Sequence, residues 1–157
     1  MTPVQLLPAS LDDAEELAQI CKLAFYEDSY RETGQSGEGN PGIDSPEYQR
    51  LRMSLNPYYK IIDDDRIIGG VILKRRSPEH MEIDRIWVDP TYKGKGLGSA
   101  AIRFVEKNHK AARWTLYTPR ARAKRNIRFY ERNGYRNLGI DSSVHQYPLL
   151  LLEKWLR

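Results

Sequence analysis

The chain has 157 residues, 25 lysines and arginines against 21 acids, and one cysteine, Cys21. That length suits one domain, residues 1–157, able to bury its own core, and a lone thiol with three scattered histidines excludes a disulfide framework and a structural zinc site. No apolar run reaches the roughly 20 residues of a membrane-spanning helix, and the first ten residues carry neither a basic nor an apolar leader region, so a soluble protein of the reducing cytoplasm, with no membrane partner, is expected.

Residues 3–7 read as a short strand, and Ser10 with Asp13 three positions on makes a capping-box start for a helix. Ala14, Leu17, Ala18, Cys21, Ala24 and Phe25 recur at helical spacing and form one apolar face. Residues 31–45, rich in Gly, Ser, Asn and Pro, read as a long loop, and Ser45-Pro46-Glu47 opens a second, short helix. Residues 58–62 and 67–73 form a hairpin about Asp63-Asp64-Asp65, and a third strand, 81–88, stops at Asp89-Pro90. A helix with a stripe of Leu97, Ala100, Ala101, Phe104 and Val105 follows. Then come a strand at 114–117, a helix at about 126–133 ended by Gly134, and strands at 135–140 and 147–152. There is no internal repeat.

The junction from Asp89 to Ala100 carries the most chemistry. Gly94, Gly96 and Gly98 let backbone N–H groups turn inward together, the following helix adds its unpaired N–H groups and positive dipole end, and Lys93 and Lys95 add charge. Such a turn grips phosphate. A Walker A loop requires Lys-Ser/Thr after its last glycine, whereas Gly98 is followed by Ser99-Ala100. The dinucleotide fingerprint fits loosely, but it wants an acid about 20 residues on, where the chain has Leu116, Tyr117 and Thr118, and it expects parallel units where this loop follows a meander. A coenzyme A loop remains.

Lys93-Gly94-Lys95-Gly96-Leu97-Gly98 resembles the Gln/Arg-x-x-Gly-x-Gly/Ala pyrophosphate loop of the GNAT N-acetyltransferases, with Lys93 in place of the usual first residue. Residues 83–90 are similar to that family's fourth strand and its exit, and residues 126–135, with Asn126, Phe129-Tyr130-Glu131 and Gly134-Tyr135, to its second CoA motif. The resemblance implies an α/β fold in which a mixed, mostly antiparallel sheet of about seven strands is flanked by about four helices. The element order would be strand, helix, helix, three strands, helix, strand, helix, two strands. It implies acetyl-CoA as co-substrate and no metal. The pantetheine arm would bond to the strand backbone at Ile86, Trp87 and Val88, the pyrophosphate would sit on amides of Gly94, Lys95, Gly96, Leu97, Gly98 and Ser99 beside Lys93, and Asn126 would reach the pantetheine.

Acetyl transfer needs a neutral amine and a proton donor for the leaving thiolate. Tyr130 occupies the family's donor position. A lysine-like amine, with pKa about 10.4, must first lose a proton. Glu82 lies near the position of the family's strand carboxylate. By simple alternation Glu82 and Asp84 share a face of the strand with Ile86 and Val88, and Asp84 is the second candidate; a bulge would change which residue points into the cleft. The acceptor is expected along the first two helices. There Phe25, Tyr26, Asp28 and Tyr30, with Tyr59 from the hairpin, offer aromatic walls and negative charge to a cationic amine. An acyl donor longer than acetyl, or a CoA-sensing or nucleic-acid-binding module without turnover, are the rival readings. The dense acids argue against nucleic acid. A homodimer is compatible with the sequence.

Overall fold

The computed structural model describes residues 5–33, 45–92, 94–119, 123–142 and 149–156, the side chains of 25–33, 123, 124 and 140–142 excepted. The strands are β1 (Gln5–Pro8), β2 (Tyr58–Asp63), β3 (Arg66–Ser77), β4 (His80–Val88), β5 (Arg113–Pro119), β6 (Arg136–Ser142) and β7 (Leu149–Trp155). The helices are α1 (Ala14–Thr33), α2 (Pro46–Leu55), α3 (Leu97–Asn108) and α4 (Ala123–Arg132). The seven strands form one sheet in the order β1-β2-β3-β4-β5-β7-β6. The pairs β1–β2, β2–β3, β5–β7 and β6–β7 are antiparallel and β4–β5 is parallel. This is the expected fold class.

Four boundaries differ from expectation by three residues or more, each for a local reason. α1 runs on to Thr33 through residues read as loop, because the first breaker after Phe25 is Gly34. β3 continues past Leu73 to Ser77, where its exposed basic residues hid the strand from a hydrophobic pattern. α4 starts three residues before Asn126, since Ala123, Lys124 and Arg125 are good helix formers. β7 reaches Trp155 because its charged residues find partners, Glu153 on Arg113 and Lys154 on Glu106. The Ser10–Asp13 start is as read: the Ser10 N–H donates to Asp13 Oδ2 at 2.8 Å, through a 3-10 turn that leads into α1.

The chain divides into two compact units, Met1–Leu73 with Arg85–Val105, and Lys74–Asp84 with Glu106–Arg157. In the first, Leu17, Ile20, Cys21 and Ala24 of α1 pack on Tyr58, Ile67, Ile72 and Trp87, with Tyr48 and Met53 of α2 at the margin. Gln49 is fully buried there, and its Oε1 accepts from the Tyr58 hydroxyl. Tyr58 meets the Trp87 ring edge-on at 5.7 Å, while its neighbour Tyr59 meets Phe104 of α3 at 5.4 Å. Adjacent strand residues face opposite ways, so α1 and α3 lie on opposite faces of β2. In the second unit Met81, Ile83, Trp114, Leu116, Tyr135, Leu150 and Leu152 are buried.

Candidate functional site

In the first unit, the exit from β4 is fixed before the glycines begin. The Asp89 N–H donates to Ile68 O at 2.6 Å, and the buried Asp89 carboxylate accepts from both the N–H and the hydroxyl of Thr91 at 2.9 Å. A short 3-10 turn, Pro90–Tyr92, follows. Gly94 and Gly96 then take φ of +80° and +75°, a region where a Cβ is strained. A Cβ built on either would meet nothing within 4 Å, so the space beside them is open. Gly96 O accepts the Ala100 N–H at 3.0 Å, the first bond of α3, which puts the N–H groups of Leu97 and Gly98 in the opening turn at the positive end of the helix. The result is a cluster of backbone donors at the positive end of a helix, beside open space. Lys95 is exposed, with Nζ 5.1 Å from the centre of the Tyr92 ring, and Lys93 lies outside the described residues.

Trp87 is buried with its six-membered ring over Gly70, where a Cβ would come within 2.4 Å of Cζ2. Arg85 Nε donates to the Tyr48 hydroxyl at 3.2 Å. Of the acceptor residues, Phe25, Tyr26, Asp28 and Tyr30 are on α1, but their side chains are outside the described set, and the Tyr59 ring meets Phe104 of α3.

In the second unit, Glu82 is buried and held by Arg76, whose Nε and Nη2 donate to Oε1 at 3.0 and 2.9 Å. Asp84 faces Lys74 Nζ at 3.4 Å. The ladder from β4 to β5 consists of His80, Met81 and Glu82 opposite Arg113, Trp114 and Thr115, and among the described residues it extends no further.

α4 carries the remaining two candidates. Asn126 is half-buried and its Nδ2 donates to Thr118 Oγ1 at 3.0 Å, tying the helix to the end of β5. Tyr130 is half-buried between Phe129 at 5.0 Å and Tyr135 at 6.1 Å, and burial pushes its hydroxyl up to about 12. Its carbonyl accepts from the N–H groups of Asn133 and Tyr135, both at 3.0 Å, and Gly134 N–H donates to Glu131 O. With Gly134 at φ +91° this is a Schellman cap, at the glycine expected to end the helix. Two residues beside it, Glu106 and Lys154, carried no signal in the sequence. They come from distant segments and meet Tyr135 of the motif beneath the cap, with Tyr135 Oη and Lys154 Nζ each 2.8 Å from the Glu106 carboxylate.

No described helix is long and apolar enough to cross a membrane, and among the described residues no group of three or more His, Cys, Asp or Glu is placed to hold a metal ion.

A model of the acetyltransferase (GNAT) family matches residues 15–135. Over 74 residues, 46% of its length, the chain is 32% identical to the uncharacterised protein YrkN of Bacillus subtilis (strain 168), and it spans 40% of that relative. Among solved structures it is similar to the PaiA N-acetyltransferase of Thermoplasma acidophilum in complex with coenzyme A, at 20% identity and a TM-score of 0.80 over 99% of this chain and 100% of that one. An acetyltransferase of Thermus thermophilus gives 16% and 0.75 over 99% and 98%. The ribosomal-protein-S18-alanine N-acetyltransferase of Escherichia coli gives 13% and 0.72 over 98% and 94%. At these identities the structural likeness is one of fold.

Proposed function

The chain belongs to the acetyltransferase (GNAT) family, whose members are acyltransferases using acetyl-CoA, and from that premise we propose that it moves an acetyl group to a primary amine by direct transfer, with donor and acceptor bound together. We take residues 1–157 as one such domain, acting in the cytoplasm. The observation that carries the proposal is the turn into α3. Two of its glycines lack the Cβ atoms that would fill the open space beside them, at the start of a helix, and that arrangement suits a pyrophosphate. Amides of Gly94, Lys95, Gly96, Leu97, Gly98 and Ser99 hold the pyrophosphate, with Lys93 and Lys95 as supporting charge. The β4 backbone at Ile86, Trp87 and Val88, with Asn126, holds the pantetheine.

Acetyl-CoA supplies the activated acyl group and a thiolate leaving group. Tyr130 donates to the sulfur as the C–S bond breaks. Its pKa of about 12 stands roughly 3 to 4 units above that of an ordinary thiol. Complete proton transfer is therefore uphill, and the hydroxyl works chiefly as a hydrogen-bond donor to the developing charge. Glu82 accepts the proton of the attacking amine, through an oxygen shared with or released by Arg76, and Asp84 is the alternative base. The acceptor lies along Phe25, Tyr26, Asp28 and Tyr30 of α1, a set that favours a cationic amine.

The test is thermal stability with acetyl-CoA, CoA, NAD and ATP, followed by thiol release against a panel of amines. Acetyl-CoA at 100 times its Kd adds about 2.7 kcal/mol, and NAD and ATP far less. Equal shifts with NAD would overturn the assignment of the loop to CoA.

A further inference from the structure

The end of α4 is held by more than its cap. Lys154 on β7 runs its aliphatic stem beneath Gly134, whose absent Cβ would lie 3.0 Å from Lys154 Cε. Lys154 Nζ then donates to Asn133 O and to Glu106 Oε1, both at 2.8 Å, and lies 5.7 Å from the centre of the Tyr135 ring. Glu106 uses its other oxygen, Oε2, to accept from the Tyr135 hydroxyl at 2.8 Å. The Glu106 side chain is 8% exposed and that of Lys154 22%, so the pair is largely withdrawn from water and screened little by salt. The two charges grip residues that closely follow Tyr130 by three kinds of contact: a carbonyl, a ring and a hydroxyl. Both of those residues, Asn133 and Tyr135, bond through their N–H groups to the Tyr130 carbonyl, and the Tyr135 ring flanks the Tyr130 ring.

A helix end needs only its cap to stop. A Gly-terminated Schellman motif satisfies the last carbonyls without a buried ion pair, and a buried ion pair is a poor source of stability because desolvation offsets its attraction. Its attested use is to fix one geometry among several. We propose that Glu106 and Lys154 are positioning residues for the transfer reaction, and that they hold the last turn of α4 against the end of α3 and against β7 so that the Tyr130 hydroxyl keeps its aim. This rests on the proposed role of Tyr130 as donor to the leaving sulfur. Tyr135 is the link between clamp and donor.

The experiment is a double-mutant comparison. Glu106→Gln/Lys154→Met removes both charges at once, keeps both stems and strands no buried ion, and Tyr135→Phe removes one hydrogen bond. Each is made in the natural chain and in Tyr130→Phe, and turnover is followed as thiol release from acetyl-CoA with a primary diamine. In the natural chain both changes lower kcat, by about tenfold for the pair and about threefold for Tyr135→Phe, with KM for acetyl-CoA unchanged. In Tyr130→Phe the same changes cost less than about twofold, since there is no longer a hydroxyl to aim. Equal losses in both backgrounds, no loss in either, or a rise in KM without a fall in kcat would each overturn the positioning role while leaving Tyr130 in place. Full turnover by Tyr130→Phe alone would remove the donor, and the clamp's purpose with it. If the charge-pair variant does not fold, Tyr135→Phe decides by the same comparison.

Discussion

The turn into α3 and the last turn of α4 are both shaped by glycines at positive φ, and they use that freedom in opposite ways. At Gly94 and Gly96 the missing Cβ leaves open space at the start of a helix. At Gly134 the missing Cβ leaves a place that Lys154 fills. Neither glycine type is explained by φ alone. What lies beside the glycine separates a turn that receives something from outside from a turn locked by the protein's own atoms. The first works through main chain and tolerates change in most side chains. The second works through single side-chain atoms and tolerates little.

The largest effect should come from the locked end. Tyr130→Phe is expected to lower turnover by roughly 10² to 10⁴ with little change in affinity for CoA, because the hydroxyl acts mainly as the thiolate leaves. Full turnover with chemistry rate-limiting would remove the hydroxyl from the mechanism. The same variant carries a stability signature. The raised pKa means that the folded state holds this proton more tightly than the unfolded chain, so its contribution is complete below about pH 10 and is lost as pH rises toward about 12. Melting curves across that window should fall less steeply for Tyr130→Phe than for the natural chain.

Next in size, Gly96→Val is expected to weaken acetyl-CoA binding by about tenfold or more, as a branched side chain enters the space the ligand requires. Calorimetric titration measures it, and an unchanged Kd would mean that the open space is not the binding surface. Its counterpart, Gly134→Ala, is expected to leave Kd alone and to cost about 2 to 3 kcal/mol in denaturant unfolding, from a strained φ and a displaced lysine. If Gly134→Ala changes affinity and not stability, the two turns are not different in kind. Glu82→Gln should slow transfer by about tenfold at pH 7 and recover as pH approaches the amine's own pKa, where no base is needed. A pH-rescued defect in Asp84→Asn in its place would make Asp84 the base. Smallest, Lys95→Ala should change CoA affinity by less than about threefold, because an exposed charge is screened. A larger loss than that of Gly96→Val would mean that charge holds the phosphates.

Much of the fold and of the glycine turn into α3 is legible in the order of amino acids. The succession of elements follows from apolar periodicity and from breakers at Asp89-Pro90 and Gly134, and the loop between Asp89 and Ala100 stands out because three alternating glycines at a helix start serve few other purposes. What stays hidden depends on pairs of residues. The Arg76–Glu82 and Lys74–Asp84 bonds need β3 to run beyond its apolar stretch, as far as Ser77. Glu106 is separated by 29 and 48 positions from Tyr135 and Lys154, the partners it bonds, and no spacing rule links them. The partial burial that pushes up the Tyr130 hydroxyl likewise belongs to packing and not to the motif.

The placement of β7 between β5 and β6 bears on how the sheet is completed during synthesis. β5 and β6 come earlier in the chain, and each has β7 as its antiparallel neighbour. Until residues 149–155 leave the ribosome, both strands keep unpaired N–H and C=O groups along the edges that β7 will occupy, and such edges invite pairing with other chains. The stretch that closes them, Leu149-Leu150-Leu151-Leu152, is an unbroken run of leucines and is followed at once by Glu153 and Lys154. Those two charges serve as gatekeepers while the strand waits for its place and as anchors after it has docked.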